Sequence, residues 1–325
     1  MSLVRTREAQ LALAILALLV LVAWRFPAFV APGNLANVLN DTAPLILLAL
    51  GQTVVILTRC IDLSVAANLA LTGMAAAMVN VALPGLPVPL IVLGCVAMGA
   101  VLGAANGLLV WRLSIPPIVV TLGTLTIYRG LVFVISDGQW VNAHEMSDAF
   151  TALPRVEILG LPALAWTALV AVAGFAALVR YAPLGRAFYA VGGNPSAAVY
   201  AGIDPGRTQF AAFTLSGAVA GLTGYLWVAR YQVAYVDIAG GFELEVVAAC
   251  VIGGISIAGG AGTILGAVLG ALFLGIVKNA LPVVGVSPFW QLTISGAAIV
   301  VAVIANGRAQ RRVGRRILRR EAAAP

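Results

Sequence analysis

One histidine, one lysine and three cysteines stand among 325 residues, and only 10% of the chain is charged. Each scarcity excludes a class of chemistry. His144 has no second histidine with which to hold a metal ion, and it reads as a surface residue of a loop. Cys60, Cys95 and Cys250 are odd in number, lack metal spacing and sit in or beside apolar stretches, so they read as packing residues. With a single histidine, acid–base catalysis has few candidate groups, and no Ser/His/Asp arrangement can be assembled from several bases. The lone lysine, Lys278, is followed by Asn279, and Gly-Lys-Ser/Thr occurs nowhere. A P-loop is therefore missing, and the chain is not an ATPase by itself. No cofactor or metal bound by this chain is expected.

What the chain has in excess is apolar surface. Hydrophobic residues make up 62% of it and its mean hydropathy is +1.04, whereas a soluble domain is about half apolar and about a quarter charged. Lipid must cover the surplus. A span needs about 20 mostly apolar residues, and ten segments qualify: 9–24, 43–58, 63–83, 89–111, 117–136, 161–179, 208–229, 242–258, 263–282 and 288–306. The second and eighth are short enough to be tilted or re-entrant. The expected fold is an all-α polytopic membrane protein with about ten transmembrane helices, in a range of eight to ten. Arg5 and Arg7 precede the first segment as in a signal peptide, but Arg25-Phe26-Pro27 follows it instead of a small-residue cleavage site. It reads as a retained anchor.

Basic residues orient the spans. With the N-terminus in the cytoplasm, Arg5, Arg7, Arg59, Arg112, Arg180, Arg186, Arg207 and seven arginines of the 307–325 tail fall inside, 14 of the 19 basic residues. Arg25, Arg155 and Arg230 fall outside, and Arg129 and Lys278 lie within spans. Both termini are then cytoplasmic. The net charge of +7 could suggest nucleic acid, but no nucleic-acid module accompanies the arginines. The tail reads as a topology anchor touching anionic lipid.

Two stretches recur in the same order. Gly-Ala-Val-Leu-Gly-Ala occurs at 99–104 and 266–271, and upstream of each a stretch with an acid and then Leu (61–67 and 242–248) reaches Gly73 or Gly254. The third span pairs with the eighth and the fourth with the ninth. Those pairs run in opposite directions, giving two inverted five-helix halves of the kind that transporters place around a central site. Glycines at 99, 103 and 107, and at 262, 266 and 270, stripe one helix face each and predict close backbone packing.

The segment 182–207 predicts a helix outside the membrane. Asn194 is an N-cap, Pro195 suits the first helical position, Gly202 supplies the left-handed stop and Pro205 follows. Such a helix either lies on the bilayer surface or docks a cytoplasmic partner. At the other face, residues 137–160 form the largest loop, rich in acids against Arg155. Polar groups in or beside spans, among them Asn68, Thr72, Asn106, Thr121, Thr124, Thr126 and Gln291, either line a pathway for a neutral polyol or tie helices together. Asp62 either joins them or stabilises the start of its helix ahead of Ser64.

Several motifs together resemble the permease subunits of bacterial ABC importers for sugars, the ribose/xylose/rhamnose-type group related to branched-chain amino-acid permeases. They are Leu57 to Val65 (LTRCIDLSV), Thr121 to Leu125 (TLGTL), Gly185 to Asn194 (GRAFYAVGGN), Gly253 to Ser256 with Gly259 to Thr263, and 266–271. The stretch from Tyr128 to Glu145 is similar to rhamnose-type permeases, with autoinducer-2 permeases the near alternative. Where many relatives carry Gly after the Leu-Thr of the first motif, this chain has Arg59-Cys60.

The resemblance implies an inner-membrane subunit that works with a second permease chain, identical or homologous, a cytoplasmic ATPase that consumes ATP and Mg, and a periplasmic sugar-binding protein. It implies ATPase coupling through Gly185, Arg186, Gly193, Asn194, Pro195, Ala197, Ala198, Tyr200 and Gly202. Candidate pathway residues are Asp62, Asn68, Asn106, Thr121, Thr124 and Glu243. Candidate contacts for the binding protein are Asp137, Trp140, Glu145 and Asp148. The rival is an ion-coupled secondary transporter, which would use intramembrane charges. The spans offer Arg129, Glu243, Glu245 and Lys278, and interface or packing roles are expected for Arg129 and Lys278.

Overall fold

The computed structural model describes residues 7–287 together with 290, 293, 296 and 297. Eight of its helices are long and apolar enough to cross a membrane. They are α1 (Arg7–Arg25), α2 (Pro32–Leu57), α3 (Val65–Ala82), α4 (Val88–Leu113), α5 (Pro117–Ser136), α7 (Ala163–Tyr181), α10 (Pro205–Tyr231) and α12 (Ile264–Val283). Shorter helices are α6 (Asp148–Ala152), α8 (Pro183–Gly193), α9 (Pro195–Tyr200) and α11 (Phe242–Ile252). Prolines set several starts: Pro32, Pro117, Pro183, Pro195 and Pro205 each open a helix, where the missing N–H costs nothing. Ser114, Asp137 and Gln232 close α4, α5 and α10 in the left-handed conformation.

Three of the ten expected segments need comment. The second is not short, because α2 starts at Pro32 and runs 26 residues. The polar residues Asn34, Asn37, Asn40 and Asp41 interrupt the apolar run without ending the helix, and Asn34 Nδ2 donates to the Phe29 carbonyl at 2.7 Å. The eighth is a helix only over the eleven residues of α11. That is about 16 Å of rise, half of the hydrocarbon thickness of about 30 Å. Beyond it the chain continues through Gly254, Gly259, Gly260 and Gly262, all at positive φ. The tenth segment, 288–306, and the basic tail lie largely or wholly outside the described residues.

Consecutive spans are joined at alternating ends. One end gathers the connections 58–64, 114–116 and 182–204, and with them Arg59, Arg112, Arg180 and Arg186. Residues 26–31, 83–87, 137–162 and 232–241 lie at the other. In the repeat, α3 runs opposite to α11 and α4 opposite to α12, as the inverted pairing expects. The two glycine stripes nevertheless serve different neighbours. Gly99 and Gly103 of α4 meet the backbone of α10 at Gly217, Gly221 and Phe213, whereas Gly266 and Gly270 of α12 meet Gly253 and Ala249 beside or within α11. A side chain at any of these glycines would displace backbone, so close packing is their physical requirement.

The centre of the bundle is α2, buried without interruption from Thr42 to Leu57. α10 packs on it and on α3 and α4. At the end opposite α8 and α9, β1 (Val141–Asn142) pairs antiparallel with β4 (Val233–Ala234), and β2 (Glu157–Ile158) with β3 (Leu161–Pro162). Phe150 is fully buried edge-on against Tyr225, at 5.0 Å between ring centroids. The 137–162 connection is thus a folded cap on the bundle.

Candidate functional site

The segment 182–207 forms a two-helix corner. Only its second helix, α9, was expected. The signal for the first was present as Leu184, Phe188 and Val191 after Pro183, an i, i+4, i+7 apolar spacing behind a helix-opening proline. Phe188 and Val191 are buried and anchor α8 to the bundle. Gly185 lies against the carbonyl of Leu178 and against Val179, leaving no space for a side chain. Arg186 donates to the Tyr181 carbonyl at 3.2 Å and is exposed. The Tyr189 hydroxyl donates to the Gly262 carbonyl at 2.8 Å, and burial pushes that phenol's pKa up.

Gly192 sits where α2, α8 and the glycine-rich 253–263 segment converge. It touches the Leu57 carbonyl and the backbone of Gly260, whose own N–H donates to the Leu57 carbonyl at 3.0 Å. Arg59 completes this junction. Its Nε donates to the Gly192 carbonyl at 2.7 Å and its Nη2 to the Gly193 carbonyl at 2.9 Å. Residue 59 has φ of 67°, a left-handed conformation that favours glycine. A glycine would adopt it without strain. Here two hydrogen bonds to the C-terminal carbonyls of α8, where the helix dipole favours a cation, offset the strain. Arg59 was not among the expected site residues, and its departure from Gly was the signal.

α9 carries the outward face. Asn194 Oδ1 accepts from the Ala197 N–H at 3.0 Å, Pro195 opens the helix and Gly202 ends the turn at φ +78°. Gly193 and Ala197 are exposed. Ala198 is 3% exposed and packs inward, so it is not part of the presented surface. Val199 is 57% and Tyr200 93% exposed. Two large side chains on one short capped helix, with nothing in the described chain over them, form an exposed knob.

Among the candidate pathway residues, most are spent in contacts between α3, α4 and α5. Asp62 is buried, and its Oδ1 accepts from the Ser64 N–H at 2.9 Å and the Ser64 hydroxyl at 2.6 Å, which fixes the turn ahead of α3. Asn106 Nδ2 donates to Ser64 Oγ at 2.8 Å, and Asn68 Nδ2 to the Gly99 carbonyl at 3.1 Å. The Thr121 hydroxyl donates to the Ile61 carbonyl at 3.2 Å and that of Thr124 to the Val120 carbonyl at 3.1 Å. Glu243 stands apart in the first turn of α11, half-buried.

A family model described as "Branched-chain amino acid transport system / permease component" matches residues 34–303. The chain belongs to that family. It is similar to the autoinducer 2 import system permease protein LsrC of Klebsiella pneumoniae subsp. pneumoniae, at 37% identity over 97% of this chain and 90% of the relative. It is also similar to LsrC of Enterobacter sp., at 37% identity over 94% and 88%. The ribose import permease protein RbsC of Escherichia coli is 35% identical over 93% and 94%. No solved structure matches. The resemblance to ABC importer permeases is borne out, and the chain is a transport subunit without an ATPase site of its own.

In this permease the end opposite α9 is also ordered by local hydrogen bonds. Asp137 is the left-handed cap of α5. Trp140 is 57% exposed and lies 5.3 Å from the Tyr235 ring. Glu145 accepts from the Asn142 N–H at 2.7 Å and from its side-chain amide at 3.1 Å, which holds the carboxyl below its usual range. Asp148 opens α6, and the Ser147 N–H donates to Asn80 Oδ1 at 2.9 Å. Of the four candidate contacts, Glu145 thus has a structural task in its own turn.

Proposed function

We propose that this permease is the membrane pathway of an ATP-driven, binding-protein-dependent importer of a small neutral sugar or sugar-derived molecule in the bacterial inner membrane. The α8–α9 corner lies in the cytoplasm, and the 137–162 cap faces the periplasm. The observation that carries the reading is the docking knob: Val199 and Tyr200 are presented at the arginine-rich end of a chain that has no P-loop. A cytoplasmic ATPase seated there supplies the energy, and a second permease chain completes the pathway. The relatives reported above are named for autoinducer 2 and for ribose. The likeness of 128–145 to rhamnose-type permeases gets no support from those names, so ribose-like and autoinducer-2-like substrates come first.

The test is reconstitution with the partner ATPase and measurement of ATP hydrolysis with binding proteins loaded with ribose, autoinducer 2 or rhamnose. Stimulation by one loaded protein is the expected result and names the substrate. Uptake driven by an ion gradient with no ATPase association would instead establish the secondary transporter.

The periplasmic cap supplies a further expectation. Asp137→Asn, Asp148→Asn and Glu157→Gln together remove surface charge while sparing Glu145, which closes its own turn. The concentration of loaded binding protein that half-saturates ATP hydrolysis should rise on the order of tenfold at low salt, because rim charges act mainly on association. An unchanged half-saturation would remove these acids from the docking surface.

A further inference from the structure

Towards the end of the bundle that carries the 137–162 cap, α2, α10, α11 and α12 enclose a cavity of about 480 Å³. Its lining includes Asp41, Trp227, Tyr231, Glu245, Lys278 and Asn279. Asp41 forms an ion pair with Arg230, and Lys278 Nζ lies 3.2 Å from Glu245 Oε2. The Lys278 side chain is 51% exposed and that of Asp41 36%, although both residues belong to helices long and apolar enough to span. A charge facing hydrocarbon at mid-helix costs roughly 2.5–3.5 kcal/mol on insertion scales. Exposure of this kind favours water or protein outside the helix over lipid tails.

The chemistry of the lining selects further. Of the charged lining groups, Glu245 is paired with Lys278 and Asp41 with Arg230 behind the lining, so each charge has its counter-ion and the cavity offers donors and acceptors without a free charge. Trp227 lies at 5.1 Å from Tyr231 and 5.2 Å from Phe242, ring to ring, and gives the cavity an aromatic wall. Aromatic faces with a few convergent polar groups suit a neutral polyol, and a uniformly apolar wall would not. The candidates read from sequence around α3 to α5 spend their donors within the bundle, although Asn68 Oδ1 and Asn106 Oδ1 are buried without a partner among the described residues.

We propose that this cavity is a section of the translocation path and takes a neutral polyhydroxylated solute. The inference rests on the importer reading above and names the residues that the solute passes.

The three native cysteines are all buried, so introduced thiols can be read against a low background. Asn279→Cys and Tyr231→Cys are made in the reconstituted complex of permease, ATPase and binding protein, with Leu13→Cys on the exposed apolar face of α1 as the lipid-facing control. A charged methanethiosulfonate reagent is added to both sides. Cysteines at 279 and 231 should react, and their rates should differ by roughly tenfold between the nucleotide-free and vanadate-trapped states. The cysteine at 13 should stay unreactive. Unreactive cysteines at 279 and 231, or rates identical in both states, would overturn the assignment while ATP hydrolysis stimulated by the loaded binding protein leaves the importer reading intact. Loss of that stimulation in the unsubstituted complex would remove both.

Discussion

Replacing Val199 and Tyr200 together with Asp abolishes association of the ATPase while the permease remains inserted and folded. The argument is local. Both side chains point away from the bundle, with exposures of 57% and 93%, so the substitutions remove no contact that the described chain makes to itself. In the complex they would place two unpaired carboxylates in an apolar contact. Centrally buried aromatic anchors contribute about 2 kcal/mol or more to an interface, and an uncompensated buried charge adds a further penalty. Co-elution of the detergent-solubilised complex in size exclusion should fall to background. The thermal midpoint of the permease alone should not move. Ala197→Glu, also on the exposed side, should act in the same direction. Ala198→Glu cannot serve as the test, because Ala198 is buried in its own chain and a carboxylate there attacks the fold first. Intact co-elution of the double variant would mean that α9 lies against the bilayer and docks nothing.

Gly192→Val has the second large effect, and it strikes transmission instead of docking. A side chain at 192 would meet the Leu57 carbonyl and the Gly260 backbone. Neither is the flexible tip of a side chain, so the helices themselves must part. Overpacking of this kind costs about 1–3 kcal/mol, and here it also wedges open the Gly260 N–H to Leu57 carbonyl bond and draws the Gly192 and Gly193 carbonyls away from Arg59. The expected result is a complex that still binds the ATPase through α9, with uptake at least roughly tenfold lower and a lower thermal midpoint. Arg59→Ala, which removes the hydrogen bonds without adding volume, should give a weaker version of the same loss. Normal uptake in Gly192→Val would show that the junction between α2 and α8 is only a resting place for the corner.

The polytopic helical fold was legible because composition and run length are local properties. Apolar stretches, helix-opening prolines and arginines at alternate connections each report on a few neighbouring residues. The same holds for α9, whose cap, first-turn proline and terminal glycine stand within nine residues. α8 was missed because its apolar spacing is short and the surrounding glycines read as loop. The length of α2 was missed because Asn34, Asn37, Asn40 and Asp41 broke the apolar run.

Sequence alone therefore determined that the chain is a membrane-embedded helical permease without an ATPase site, and that one capped helix stands outside its bundle. Tertiary structure decided which partners those elements meet. It separated buried Ala198 from exposed Ala197, gave the two glycine stripes different neighbours, stopped α11 at eleven residues and brought Asp41, Glu245 and Lys278 around one cavity. The physical reason is that burial and pairing depend on residues far apart in the chain. Glu245 and Lys278 stand on different helices, and nothing near either one specifies the other.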